Sequence, residues 1–106
     1  MDILQGTLDL LILRGLEFGS MHGVGIADRI DQVTRGAFVV KPGSLFPALR
    51  RLEQKGWIEG EWGQSASNRR ARFYTLTSDG RKHLNAEATR YRQVTGAVAR
   101  IMGFAN

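Results

Sequence analysis

From Thr77 to Met102 no proline interrupts the chain, and Leu84, Ala88, Tyr91, Thr95, Val98 and Met102 recur at intervals of four, three, four, three and four. That is a heptad seam, broadened by Val94 and Ile101, with Arg81, Asn85 and Arg92 on the other side. Thr77 or Ser78 can cap the stretch and Asp79 suits the positive end of the helix dipole. The spacing predicts a helix of roughly 25 residues, about 37 Å long. A chain of 106 residues cannot cover so long an apolar stripe with its own core. The seam is therefore expected to pack on another chain.

Lys41–Gly56 (KPGSLFPALRRLEQKG) places Leu45, Leu49 and Leu52 on one helical stripe, with Gly56 as a C-terminal stop. Pro47 is harmless only where no intrahelical bond is expected, so the N-cap is expected near Gly43 or Ser44, Ser44 being the better capping side chain. The opposite face carries Phe46, Pro47, Arg50, Arg51 and Gln54. Such a helix can dock its leucines on a core and extend its arginines into a DNA groove.

Two helices precede it. Residues 5–18 read as a helix in which Leu4, Leu8, Leu11 and Gly15 share a face that Leu10, Leu13 and Leu16 widen. So broad an apolar surface is either central to the core or shared with a partner subunit. His22–Thr34 follows, with Ser20 as its cap and Val24, Ala27, Ile30 and Val33 as its apolar stripe. Phe38–Val40 is expected as a short strand at the edge of a small sheet. After Gly56, Trp57–Gly63 and Arg70–Thr77 alternate in polarity around the small polar segment Gln64–Arg69, which predicts a two-stranded hairpin bearing Arg69, Arg70 and Arg72. The fold class is α+β, mainly α. Helix, helix, short strand, helix, hairpin and helix is the order of a winged helix-turn-helix (residues 1–77) followed by a long dimerisation helix (residues 78–106). In that architecture the third helix enters the major groove and the hairpin is the wing.

Charge agrees. Between Lys41 and Lys82 stand nine basic residues against four acidic ones, a local excess equal to the whole chain's +5. A localised basic excess points to a polyanion. The chain has no cysteine, which removes disulfide and thiolate chemistry. Two histidines, His22 and His83, stand on different helices, the carboxylates are scattered, and no glycine-rich phosphate loop appears. Neither an enzyme nor a cofactor or metal site is expected. No apolar run is long enough to cross a bilayer and no signal peptide is evident, so no membrane partner and a cytoplasmic location are expected.

Four segments carry a further resemblance: LQGTLDLLIL (Leu4–Leu13), His22-Gly23, PGSLFPALRRLEQKGWIE (Pro42–Glu59) and RRARFYTLTSDGRKHL (Arg69–Leu84). In this order they resemble the PadR family of bacterial transcriptional regulators, in its shorter form with one helix after the wing. The resemblance implies a homodimer with two recognition helices in successive major grooves of an operator, acting in many members as a repressor. The expected interface comprises Leu4, Leu8, Leu84, Ala88, Tyr91, Val94, Thr95, Val98, Ile101 and Met102. For some members it also implies release by a small aromatic effector between the subunits, and Tyr91 is where a stacking ring would sit. This chain has Phe46 where the family usually has tyrosine, so a hydroxyl that could reach a base or phosphate is missing.

Residue chemistry divides the DNA-binding roles. Arg50 and Arg51 are candidates for guanine or phosphate contact, Ser44 for a phosphate at the helix N-terminus, and Lys41, Arg69 and Arg70 for phosphates. Phe46 and Pro47 offer apolar contact, and Arg72 completes the basic wing. The alternative is a winged-helix protein-interaction module without DNA binding, which a steep salt dependence of DNA affinity would exclude.

Overall fold

The computed structural model describes residues 5–104. Leu4 and the expectations attached to it lie outside them. α1 (Gln5–Gly15) tightens into a 3-10 turn over Leu16–Phe18, so the expected first helix ends three residues early. β1 is only Met21–His22 and leads directly into α2 (Gly23–Val33). α3 spans Pro42–Gln54, β2 spans Ile58–Gln64, β3 spans Arg70–Leu76 and α4 spans Ser78–Met102. The three strands form one antiparallel sheet in the order β1-β3-β2.

α1 lies at the centre. Leu8, Ile12, Leu13 and Leu16 are buried among Ile26 and Ile30 of α2, Leu45, Leu49 and Leu52 of α3, Ile58, Tyr74 and Leu84. The broad apolar surface of α1 thus resolves mainly as core, and Leu8, expected at a subunit interface, is only 4% exposed within its own chain. In α2 the buried stripe is Gly23, Ile26 and Ile30, whereas Val24 and Val33 of the expected stripe face solvent. The cap of α2 is His22 rather than Ser20: its Nδ1 accepts from the Gly25 N–H at 3.1 Å.

Phe38–Val40 forms no strand. The third strand is Met21–His22, which pairs with Tyr74 and Phe73. α3 also begins earlier than Pro47 suggests. Lys41 is the N-cap, Pro42 takes the first helical position, where its missing N–H costs nothing, and Pro47 lies inside the helix. Pro47 can donate no bond to the Gly43 carbonyl, but both residues are exposed, so water can satisfy that carbonyl.

Thr77 caps α4, its hydroxyl accepting from the Gly80 N–H at 3.0 Å. Gly80 is buried against the Trp57 carbonyl, an approach only a glycine permits. His83 stacks on Trp57 with ring centroids 3.6 Å apart, and Leu84 is 3% exposed in the core. The start of α4 is therefore part of the winged-helix core, which moves Leu84 off the expected interface. Beyond Leu84 no residue of α4 is buried, and Gly103 in a left-handed conformation ends it. No helix among the described residues is long and apolar enough to cross a membrane.

Candidate nucleic-acid interface

The four buried residues of α3 are Leu45, Ala48, Leu49 and Leu52. At 100° per residue they lie on one side, and Gly43, Pro47, Arg50 and Gln54 lie opposite. Ser44 and Phe46 flank that outer face, and all six are exposed. Ser44 is three positions into the helix rather than its cap. Phe46 leans back towards Gly23 of α2 while keeping 48% of its surface in solvent. No side chain caps the N-terminus of α3, where Lys41 also stands exposed.

Arg51 faces elsewhere. It lies on the flank towards α1, where its Nη2 donates to Asp9 Oδ1 at 2.8 Å. Its Nε is buried without a partner. On the other flank Glu53 pairs with Arg72 of β3. Arg51 and Arg72, expected among the outward cations, are instead partly buried and already bonded. α3 is thus fastened to α1 on one side and to the wing on the other. The hydrogen bond to Glu53 holds the Arg72 guanidinium above its ordinary pKa. Burial pushes the Tyr74 phenol up, the Glu53 charge acts in the same direction and Arg72 opposes it.

The wing is the β2–β3 hairpin, in register from Ile58↔Leu76 to Gln64↔Arg70. Its turn closes through the Ser65 N–H to the Arg69 carbonyl at 2.8 Å and the Asn68 N–H to the Ser65 carbonyl at 2.9 Å. Asn68 has φ 61°, a left-handed conformation that asparagine tolerates better than most residues. Arg69 and Arg70 stand exposed at the tip. Among the described residues, Lys41, Arg50, Arg69 and Arg70 take part in no ion pair. Four cations outside any ion pair thus stand on α3, its N-cap and the wing.

Away from them, Tyr91, Val94, Val98, Ile101 and Met102 are each at least half exposed along α4. Thr95 is exposed and Ala88 half-buried. Tyr91 borders two grooves between α1 and α4, of about 300 and 340 Å³. Leu10 lines both.

Residues 12–86, from the middle of α1 through the first turns of α4, match the model of the transcriptional regulator PadR-like family. The chain belongs to this family. It is 32% identical over 84 residues to the uncharacterized protein X of Lysinibacillus sphaericus, an alignment covering 79% of this chain and 77% of that one. Its fold is similar to a transcriptional regulator from Clostridium thermocellum, with a TM-score of 0.83 and 26% identity over 94% of this chain and 97% of that chain. A PadR family transcription regulator from Clostridium difficile R20291 is similar at a TM-score of 0.79 and 28% identity, over 90% and 97% of the two chains. The chain is thus a winged-helix transcriptional regulator of the PadR type with a long C-terminal helix.

Three residues of this regulator's site escape sequence reasoning. Asp9 and Glu53, which hold Arg51 and Arg72, carry no local signal because their partners lie 42 and 19 positions away. Trp62 reads as one residue of an alternating strand. It is 55% exposed, on the wing, beside Arg70 and Arg72.

Proposed function

We propose that this PadR-like regulator is a sequence-specific DNA-binding repressor that acts as a homodimer in the cytoplasm on a double-stranded operator. One observation carries the reading: Lys41, Arg50, Arg69 and Arg70 are exposed and outside every ion pair among the described residues, on the third helix, its N-cap and the wing that this fold offers to DNA. Arg50, at the centre of the outer face of α3, is the base reader, since arginine pairs bidentately with guanine. Lys41, Ser44, Arg69 and Arg70 take phosphates. Phe46 and Pro47 supply apolar surface suited to a thymine methyl.

Ala88, Tyr91, Val94, Thr95, Val98, Ile101 and Met102 form the surface on which two copies meet. Tyr91, beside the two grooves against α1, is the position for a planar aromatic effector. Such a ligand would release DNA by favouring a spacing of the two α3 helices that does not match one turn of the duplex.

Selecting the preferred duplex from a random pool, then measuring affinity against salt, tests the reading. Arg50→Ala should reduce specific binding more than non-specific binding, by about 1–3 kcal/mol. Arg69→Ala should weaken binding to all sequences and flatten the salt slope by about one. Wing variants that changed sequence preference while Arg50→Ala left it untouched would overturn the assignment of roles. DNA affinity indifferent to salt would favour a protein-interaction module instead.

A further inference from the structure

We propose that Trp62 is the residue that positions Arg70 for its phosphate contact, as the outer end of a ladder from the recognition helix: Glu53, Arg72, Trp62, Arg70. This rests on the DNA-binding reading above. Glu53 on α3 pairs with Arg72 on β3. Arg72 lies directly across the hairpin from Trp62, with its guanidinium carbon 5.7 Å from the ring centroid. Two residues nearer the tip on the same strand, the guanidinium carbon of Arg70 lies 4.4 Å from the same centroid. Gly60 makes room for the ladder, because the Arg72 guanidinium crosses the place its Cβ would occupy.

Each member is explained by the next. A tryptophan 55% exposed on a wing strand contributes little to the core, but its π-face attracts a cation. A cation held over a ring engages the π-face without using its hydrogen-bond donors. The Arg70 guanidinium makes no hydrogen bond among the described residues, so its N–H donors are available to a phosphate. Among the described residues no carboxylate competes for Arg70. An arginine held this way loses less side-chain freedom on binding DNA than one waving in solvent. The ladder also joins the wing to α3, so the phosphate contact of the one is in register with the base contact of the other.

The test is a neutral substitution read by its electrostatics. Trp62→Ala removes no charge, yet it should lower affinity for the selected duplex about three- to tenfold, as Arg70→Ala does, and flatten the salt slope by about one. The double variant should be no worse than either single one, and Trp62→Tyr, which keeps a ring, should stay near wild type. Wild-type affinity for Trp62→Ala, a loss with the salt slope intact, or additive losses would each overturn the proposal. If Trp62→Ala does not fold, the Trp57→Phe protein has Trp62 as its single tryptophan. Duplex binding should then change Trp62 emission, Arg70→Ala should abolish the change, and an undiminished change in Arg70→Ala would refute the ladder. If the wild type binds no duplex at any salt concentration, both the DNA-binding reading and the ladder are lost, whereas the outcomes above touch the ladder alone.

Discussion

Gly80→Ala should destabilise this protein even though alanine is the better helix former. Gly80 is buried in the first turn of α4, and a Cβ there would lie 2.8 Å from both Leu76 Cδ1 and the Trp57 carbonyl carbon, closer still to the carbonyl oxygen. Ordinary contact begins at 3.4 Å, so the carbon contacts alone require roughly 0.6 Å of movement at Trp57 or the start of α4, and the nearer carbonyl oxygen requires more. That movement strains two attachments: the Thr77 N–H to Trp57 carbonyl bond at 3.1 Å and the His83–Trp57 stack. Overpacking costs about 1–3 kcal/mol and a weakened hydrogen bond about 1 kcal/mol. Removing a helical glycine returns up to about 1 kcal/mol. The net is a loss of about 1–3 kcal/mol, which for a chain of this size lowers the melting temperature by roughly 5–20 °C. Thermal and urea denaturation measure it, with Gly43→Ala as control because a Cβ there meets nothing within 4 Å. If Gly80→Ala melted with the wild type, the account of how α4 is anchored would be refuted.

Two aspartates on α4 should behave differently: Val98→Asp should leave a folded monomer, whereas Leu84→Asp, at a position 3% exposed in the core, should not fold. Sedimentation and circular dichroism separate these outcomes, and a Val98→Asp protein that stayed dimeric would sink the proposed interface. Arg51→Ala should lower the melting temperature and leave sequence preference nearly unchanged, because its guanidinium is bonded to Asp9. Titration with planar aromatic dyes should show binding that Tyr91→Ala removes; equal binding by both proteins would leave Tyr91 a packing residue. The raised pKa of Tyr74 means the folded protein holds its phenolic proton more tightly than the unfolded chain. Its stabilising effect is therefore intact below pH 10.0, the ordinary value, and is lost as pH rises beyond it. Tyr74→Phe should make alkaline unfolding shallower, and an unchanged profile would contradict the burial argument.

What could be read from residues alone was whatever repeats locally. The leucine stripe of α3, the alternation of β2 and β3, the Thr77 cap and the full length of α4 each have a short period or a neighbouring partner, and each lies close to where the spacing put it. β1 has two residues and so no period; it exists because Tyr74 and Phe73, some fifty positions later, offer it hydrogen-bonding partners. Phe38–Val40 had the composition of a strand and no such partner. Pro47 misled in another way. Its rule concerns a lost bond and a crowded carbonyl, and the loss is cheap when that carbonyl faces water and Pro42 already begins the helix without cost. The same distinction governs the candidate site. Arg50 and Arg51 are adjacent and chemically identical, and nothing in the spacing told the free arginine from the tied one. One step of 100° around the helix separates them, and it brings Arg51 to Asp9 while leaving Arg50 exposed. The role of an arginine in such a helix is thus decided by which carboxylate its flank can reach, a property of the packed tertiary fold.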